Sequence, residues 1–451
     1  MREVKAEKKQ MMLTEDIHKL ILHMAVPTIV AQLITTIYNL VDTYFVSTLG
    51  TNAMAAVGVN NSLERTITLV GSLIGSGACS YLARLLGAKR DEDADHVLST
   101  SFFAGITIGL VLAIIGTIFI TPLVNFLGAT DECRTFSIQY ATYVLYAAPF
   151  MIGSFILNMC LRSEGSARLA MIGIGFGGVL NCILDPIFIY VFHLGVAGAS
   201  MATAISKTIS FCILVYPYIK KRSAVQISLK KVRWRPEEAR EVMSIGSTSF
   251  LRSCFGVLAG ILVNRVAGGF STAALAALSL SNRVMDFPFA VILGFGQGYQ
   301  PVVGFNWGAK QKERVKESLR FAMKISLIGA AIVGVFIFVF ARNVVGIFNS
   351  EADSEVLRLG MLCIRLQCIT LPIHSWLSLV NMFYAGIGRA RSALALSTAR
   401  QGYCFLPVLF ILPAVAGING LAAAQAVADL LTLLVVIPLC IKAFRLTDSL
   451  D

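Results

Sequence analysis

The chain is dominated by long runs of apolar residues that are separated by short polar and charged segments. Twelve of these runs reach about 17 residues, the length that lets a helix cross the hydrocarbon core of a membrane. They cover residues 20–47, 54–83, 97–120, 135–160, 169–192, 196–219, 242–267, 273–306, 325–341, 359–386, 392–413 and 418–441. Membrane strands would instead alternate apolar and polar residues. The pattern therefore predicts an all-α membrane protein with twelve transmembrane helices.

Composition supports this prediction. Of the 451 residues, 56% are hydrophobic and 14% are charged, and the mean hydropathy is +0.74. An ordinary soluble domain carries about 25% charged residues, and much of any soluble surface must face water. The composition therefore excludes a soluble enzyme, a disordered chain and a secreted disulfide scaffold.

The basic residues are sorted between the two sides of the predicted bundle. The chain has 38 Lys and Arg residues and a net charge of +12. If the N-terminus is placed inside, 28 of them fall in inside segments, three in outside loops and seven within spans. Cytoplasmic loops of membrane proteins carry this excess of Lys and Arg. We therefore predict that both termini are cytoplasmic, and the charge needs no nucleic-acid partner to explain it.

The two halves of the sequence resemble each other at a nearly constant offset of about half the chain. Segment 75–90 (GSGACSYLARLLGAKR) matches 296–311 (GQGYQPVVGFNWGAKQ), and 158–168 matches 381–391; a third match joins 195–204 to 417–426. Six spans in each half begin on the same side, so the repeat is parallel, with its two-fold axis along the membrane normal. We predict pseudo-symmetric six-helix lobes at 1–219 and 242–451, joined by a basic cytoplasmic loop at 220–241. A duplicated bundle of this kind favours a transporter.

Acidic residues within spans are energetically costly and usually functional. Asp42 lies in the first span and Asp185 in the fifth, where Asn181 precedes it by one turn on the same helical face. With Thr203 of the sixth span, these groups can bind Na⁺ through oxygen ligands, or two close carboxyls can share a proton. The alternative is that they only hydrogen-bond one another or the backbone. The second half has Asn264 in place of the first acid, so we expect ion coupling in the first lobe.

The other charged residues in spans suggest structural pairing. Glu64 precedes Arg65, which suggests a solvated ion pair near the outer end of the second span. Arg283 with Asp286, and Arg400 with Asp429, are candidate pairs in the second half. Lys207 lies one turn beyond Thr203, and the sequence leaves open whether it neutralises Asp185 or extends towards the inner loop.

Several motifs of energy-using and catalytic proteins are missing from the sequence. It contains no GxxxxGK[ST], no HExxH and no GxSxG, and its ten cysteines are scattered without a CxxC. We therefore predict neither an enzyme nor a resident cofactor. Uphill transport would take its energy from an ion gradient.

Four segments resemble a known family: PTIVAQLITTIYNLVDTYFVSTLGTNAMAAVG at 27–58, NCILDPIFIYVFHLGVAGASMATAIS at 181–206, and GAKR and GAKQ at 87–90 and 308–311. They are similar to multidrug and toxic-compound extrusion (MATE) transporters, and the similarity extends over nearly the whole chain. Asn264 in the seventh span, the lack of an acid in the tenth span and the presence of Arg283 match the DinF/MepA-like branch. The resemblance implies a V-shaped pair of lobes that export drugs in exchange for H⁺ or Na⁺.

The resemblance also implies roles for individual residues. Asp42, Asn181, Asp185 and Thr203 are expected to form the proton or Na⁺ site. Candidate substrate contacts are Pro27, Gln32, Tyr38, Asn158, Met201 and Arg283. We expect a monomeric, ion-coupled antiporter of the bacterial inner membrane, whose partners are small cationic amphipathic molecules and the lipid bilayer.

Two other functions remain open at this point. A flippase for lipid-linked precursors would need a basic cavity, with phosphate contacts from Arg265, Arg283 and Arg400, although the acids of the first lobe would repel a pyrophosphate. A channel would not need gradient coupling.

Overall fold

The computed structural model describes residues 2–348 and 354–450, and no strand occurs within these ranges. The helices are α1 (Arg2–Thr14), α2 (Ile17–Ser47), α3 (Thr51–Gly87), α4 (Asp91–Ile118), α5 (Ile120–Phe126), α6 (Arg134–Ser163), α7 (Ala167–Pro186), α8 (Gly195–Ile219), α9 (Pro236–Phe270), α10 (Thr272–Gly308), α11 (Lys312–Val339), α12 (Ala341–Phe348), α13 (Ser354–Gly386), α14 (Ala390–Thr398), α15 (Phe405–Leu431) and α16 (Leu433–Asp448). Short π-helical segments follow α7 and α14, at Ile187–Val191 and Ala399–Tyr403.

The predicted twelve-span fold is confirmed, with its last two spans continuous along the chain. Eleven helical stretches of the described chain are long and apolar enough to cross a membrane, and the last of them, Ala390–Asp448, has 59 residues. At 1.5 Å per residue such a stretch would be roughly three times the membrane thickness. Gly417 interrupts it with φ +59° and ψ −141°, a left-handed conformation that favours glycine. The chain therefore turns there, between the two predicted spans at 392–413 and 418–441.

The sequence repeat has a structural counterpart. The short helices α5 and α12 follow α4 and α11 at equivalent positions of the repeat, so each half breaks its third span at the same place. Outside the core, large apolar side chains of α11 are exposed at helical spacing, at Ile328, Ile332, Val335 and Phe336. Such a stripe suits contact with lipid tails.

The two halves meet through glycines that the repeat pairs with each other. A Cβ atom on Gly77 of α3 would lie 1.9 Å from the carbonyl oxygen of Val242 in α9. A Cβ atom on Gly298 of α10 would lie 2.5 Å from the Cα of Ala25 in α2. Gly77 and Gly298 are equivalent positions of the repeat, and the contact of α3 with α9 corresponds to that of α10 with α2. The backbones of the two halves therefore touch, and no side chain fits between them.

The contact between α3 and α10 is reciprocal. A Cβ atom on Gly87 would lie 2.0 Å from the carbonyl oxygen of Phe305, and one on Gly308 would lie 2.1 Å from that of Arg84. The repeat relates Gly87 to Gly308 and Arg84 to Phe305, as expected for a two-fold relation. We call Gly77, Gly87, Gly298 and Gly308 the glycine seam. It lies at the basic end of the bundle, the end with the Lys- and Arg-rich connections.

Polar contacts reinforce the seam at the basic end. Arg162 of α6 donates a hydrogen bond from Nη1 to Oε1 of Gln297 in α10, at 2.7 Å. The hydroxyl of Ser80 in α3 donates to the carbonyl oxygen of Ala385 in α13. These bonds join the halves in the same region as the glycines, so the basic end is closed.

Helix α1 crosses this closed end. Its Lys9 lies 2.5 Å from a carboxylate oxygen of Asp91 in the first half. The carbonyl oxygen of its Met12 accepts a hydrogen bond of 3.3 Å from Arg314 in the second half. Residue bounds for two separate lobes stay a prediction, but α1 and the seam explain how the halves are held together.

We predict that Gly77→Ala lowers the melting temperature of the purified protein in detergent, because the added methyl group overlaps the Val242 carbonyl. Overpacking of this kind costs about 1–3 kcal/mol. Gly58→Ala is the matched control on α3, since a Cβ atom there meets nothing within 4 Å. Equal melting temperatures for the two variants would contradict a close-packed seam.

Candidate ion-coupling site

The four predicted coupling residues come together in the first half. Nδ2 of Asn181 donates hydrogen bonds to Oδ1 of Asp185, at 3.2 Å, and to the hydroxyl of Thr203, at 3.3 Å. The carboxyl of Asp42 lies beside that of Asp185, close enough for one to donate a hydrogen bond to the other. Helices α2, α7 and α8 thus contribute to one polar cluster. That this cluster couples an ion to transport stays a prediction.

Local sequence explains the geometry of the cluster. Asn181 and Asp185 are four residues apart in α7, so both side chains lie on one face. Pro186 ends the regular helix, and the π-helical segment Ile187–Val191 follows it. Gly198 lets α8 approach this segment, since a Cβ atom there would lie 2.8 Å from the carbonyl oxygen of Phe188. The start of α8, including Thr203, is thereby held against the end of α7.

The cluster has more buried acceptors than donors. Asp185 is fully buried, and Asn181 and Thr203 are nearly so. Among the described residues, its buried oxygens without a hydrogen-bond partner are Oδ1 of Asp42, Oδ1 of Asn181 and Oδ2 of Asp185. Each such acceptor costs about 1–3 kcal/mol when it stays unsatisfied. A proton on one carboxyl or a small cation between the oxygens would satisfy them.

The oxygen atoms of the cluster suit hard cations better than transition metals. Within the described ranges, no group of three or more His, Cys, Asp and Glu side chains is placed to hold a metal ion. Carboxylate, amide and hydroxyl oxygens are ligands for hard cations. The cluster therefore fits H⁺ or Na⁺ as a transported ion better than a transition metal.

Lys207 contacts a residue that the sequence did not connect to it. Its ammonium donates a hydrogen bond of 2.7 Å to the hydroxyl of Tyr38 and lies 4.8 Å from the centroid of the same ring. Tyr38 precedes Asp42 by one turn of α2. Lys207 thus places a positive charge beside the cluster and interacts electrostatically with Asp42 and Glu64.

The interpretation of Glu64 and Arg65 as a solvated ion pair is wrong. The Glu64 carboxylate accepts a hydrogen bond of 3.0 Å from the hydroxyl of Tyr140 in α6, inside the first half, while Arg65 is exposed. Consecutive residues of a helix point about 100° apart, so adjacency in sequence is a poor sign of pairing. Glu64 is a third carboxylate near the cluster, and only the fold reveals it.

The candidate substrate contacts separate into two groups. Tyr38 and Met201 lie within one turn of Asp42 and Thr203 on their own helices, and Gln32 is half-buried further along α2. Asn158 lies elsewhere. Its amide donates to the carbonyl oxygen of Ala170, which is about four turns before Asp185 in α7 and so roughly 22 Å away along the helix.

Asn158 is also occupied by the protein itself. Its side-chain oxygen accepts a hydrogen bond of 2.7 Å from Arg162, the residue that reaches Gln297. Pro27 is buried in α2 near the contact with α10, and Arg283 is exposed on α10. The structure thus places Asn158 and Pro27 nearer the basic end than the carboxyl cluster.

The second half contains one of the two predicted ion pairs. Nε of Arg400 lies 2.9 Å from Oδ1 of Asp429, and both residues are buried, which confirms that pair. Asp429 also accepts hydrogen bonds from Gln425, at 3.0 Å, and Thr370, at 3.2 Å. Arg283 and Asp286, both within the described part of α10, form no direct salt bridge although they are three residues apart, and both are exposed.

Comparison with known proteins places this arrangement in a family. The model of the family named MatE matches the chain twice, at residues 27–187 and 249–411. The two matches begin at equivalent positions of the internal repeat. The chain belongs to the MatE family. It is therefore a multi-pass membrane protein of the MATE family of multidrug efflux transporters, as the sequence predicted.

The chain is similar to curated relatives and to solved structures over nearly its full length. The chain is 30% identical over 415 residues to the multidrug export protein MepA of Staphylococcus saprophyticus, which covers 92% of this chain and 91% of that protein. It is similar to a crystal structure of MATE in complex with MaL6, with 26% identity, a TM-score of 0.91 and coverage of 98% of both chains. A MATE transporter of the MOP superfamily in an outward-facing conformation is 26% identical with a TM-score of 0.90, covering 97% of this chain and 98% of that one.

We predict that Arg400→Gln destabilises the protein strongly, because it leaves the carboxylate of Asp429 buried without its counter-ion. Loss of one partner of a buried pair costs about 3–5 kcal/mol. Adding Asp429→Asn should restore part of the melting temperature, since the uncompensated charge is then removed as well. Lys316→Gln is the control, because Lys316 pairs with Asp448 at the surface, where such pairs contribute about 0–1 kcal/mol. Equal losses for Arg400→Gln and Lys316→Gln would contradict the prediction.

Proposed function

We propose that this protein is an ion-coupled antiporter that exports cationic amphipathic compounds by alternating access. The observation that carries the proposal is the pair of carboxyls, fully buried Asp185 and half-buried Asp42, with unpartnered oxygens among the described residues of one half of the transporter. Such a pair binds either one proton or one small cation far more favourably than it stays doubly charged. The name of the MepA relative, a multidrug export protein, supports the cargo class.

Antiport requires that ion and cargo oppose each other. A cationic cargo would be attracted by the carboxylates while they are charged. Proton or Na⁺ uptake by Asp42 and Asp185 would remove that attraction, and by linkage the cargo would equally weaken ion binding. Lys207 beside Tyr38 offsets one of the negative charges of the cluster, so fewer bound cations are needed to neutralise it.

Alternating access requires the closed basic end to open. In this conformation the glycine seam, the Arg162–Gln297 bond and helix α1 hold that end together. By the positive-inside rule the basic end and both termini would be cytoplasmic, so an opening between the halves at the other end would face outwards. The similarity of the protein to an outward-facing MATE structure supports an outward-facing conformation.

We place the protein in the bacterial cell membrane, which is the inner membrane in cells that have two membranes. We take the single chain as the working unit.

We predict that Asp42→Asn abolishes coupled efflux while membrane insertion and folding are retained, because the amide neither takes up a proton nor binds Na⁺ as a carboxylate does. The measurement is efflux of a fluorescent cation from proteoliposomes, with pH and Na⁺ gradients imposed separately. Asp131→Asn is the control, since its carboxylate is exposed and pairs with Arg134 at the surface.

The wild-type assay also distinguishes the coupling ion and the competing functions. Efflux driven by a pH gradient alone identifies H⁺, and efflux driven by a Na⁺ gradient alone identifies Na⁺. Normal gradient-driven efflux by Asp42→Asn would reject the site. A wild-type current that does not depend on cargo would reject antiport in favour of a channel, and transport of a lipid pyrophosphate without a gradient would favour a flippase.

A further inference from the structure

The segment between α8 and α9, residues 220–235, is held against the first half of the protein, and we call it the strap. The carboxylate of Glu164, directly after α6, accepts a hydrogen bond of 2.6 Å from the hydroxyl of Ser223. The carboxylate of Asp95 in α4 accepts one of 2.8 Å from the backbone N–H of Gln226. Both carboxylates are buried, so the strap begins in a defined position at the basic end.

The strap then runs along α4 to the level of the membrane surface. The hydroxyl of Ser99 donates a hydrogen bond of 3.2 Å to the carbonyl oxygen of Gln226. The hydroxyl of Thr100 donates to the carbonyl oxygen of Arg233, at 3.1 Å, and accepts from its backbone N–H, at 3.2 Å. Both residues of α4 lie close to the start of the predicted span 97–120. The strap therefore reaches the zone where α4 enters the membrane.

The strap presents large apolar side chains to its surroundings. Trp234 is 73% exposed and Leu229 is 72% exposed. The other two tryptophans of the chain, Trp307 and Trp376, are half-buried. An indole ring with this exposure is unfavourable in water, whereas tryptophan is enriched where lipid headgroups meet the hydrocarbon core. Ile219, the last residue of α8, is 69% exposed just before the strap, as expected where a helix leaves the bilayer.

The strap also carries positive charge that the protein does not neutralise. Lys231 and Arg235 pair with acids of α4, at 2.5 and 3.2 Å. The side chains of Lys230 and Arg233 are exposed, and within the described part of the chain neither of them makes a salt bridge or a hydrogen bond. Two free cationic groups therefore lie within four residues of the exposed Trp234.

These features together match an anionic phospholipid. Basic side chains next to a membrane attract anionic headgroups, and a guanidinium forms paired hydrogen bonds with a phosphate. Tryptophan and leucine beside those charges suit the glycerol and upper acyl region directly below the phosphate. An acidic protein segment would match the charge, but it would not account for two large apolar side chains at the membrane surface.

We propose that the strap is a binding site for an anionic phospholipid in the membrane leaflet at the basic end. Lys230 and Arg233 bind the phosphate, and Trp234 and Leu229 pack against the glycerol and the upper acyl chains. The strap connects the two halves, so the lipid binds where the first half passes into the second. The inference needs only a chain that spans the membrane, and it does not depend on the proposed antiport.

The fluorescence of Trp234 tests contact between the strap and the lipid directly. The full chain is placed in phosphatidylcholine nanodiscs that contain an increasing minor fraction of a lipid brominated near the headgroup end of its acyl chains. The brominated lipid has either a phosphatidylglycerol or a phosphatidylcholine headgroup. Bromine quenches only nearby indole rings, and subtraction of the Trp234→Phe signal isolates Trp234 from the other tryptophans. At low ionic strength we expect the phosphatidylglycerol to bind roughly 5- to 25-fold more tightly, since each basic residue near the membrane surface contributes about fivefold.

Two double variants show whether the basic residues of the strap select the headgroup. Lys230→Gln with Arg233→Gln should lower the preference for phosphatidylglycerol to less than about twofold, because the charges that attract it are gone. Quenching of Trp234 by the brominated phosphatidylcholine should remain, because the indole still reaches the bilayer. Lys442→Gln with Arg445→Gln is the control. It removes two exposed basic residues of α16, a helix of the second half that ends at the basic end, and should leave the preference unchanged.

Three outcomes would overturn the lipid site. If neither brominated lipid quenches Trp234, the strap faces water and its exposed side chains are free for a protein partner instead. If the two lipids bind equally, the strap contacts the bilayer without selecting a headgroup. If both double variants lose the preference equally, the general charge of the basic end attracts the lipid and the strap is not a site.

Discussion

The architecture depends on direct backbone contact between the two halves at the basic end. Four glycines related in pairs by the repeat remove the side chains that would separate α3 from α9 and α10, and α10 from α2. Lipid tails are as apolar as leucine, so burial of apolar side chains gives little reason for membrane helices to associate. Close packing and hydrogen bonds such as Arg162–Gln297 supply the association instead. The alternating access proposed above would require this contact at the basic end to open.

The two halves have similar folds but differ in the charged side chains that lie within them. The first concentrates carboxylates at Asp42, Glu64 and Asp185, moderated by Lys207. The second neutralises its buried carboxylate, Asp429, with Arg400 and keeps Arg252 without a partner among the described residues. The repeat gives the two halves similar scaffolds, and the charged residues on those scaffolds differ.

Much of the fold could be predicted from the sequence because a membrane restricts the choices. Each crossing must satisfy its own backbone hydrogen bonds, so long apolar runs are helices, and their count follows from length. The distribution of Lys and Arg and the repeat then constrain orientation and symmetry. The cluster of Asn181, Asp185 and Thr203 could be anticipated too, since two of its members share a helical face and the third lies on the next helix. Gly417 lies between the last two predicted spans, and its left-handed backbone conformation lets the chain turn there.

The sequence by itself thus determined the class of fold, the number of spans, the repeat, the family and the main acids, because each is encoded in periodicity or in residues close along the chain. Only the tertiary structure decided which side chains meet. It paired Glu64 with Tyr140 rather than Arg65, and Lys207 with Tyr38, and it placed Asn158 far from the acids. It also placed Arg252 beside His374 and Arg400. These partners lie on different helices, and the contacts depend on how the helices are rotated and packed, which no local pattern records.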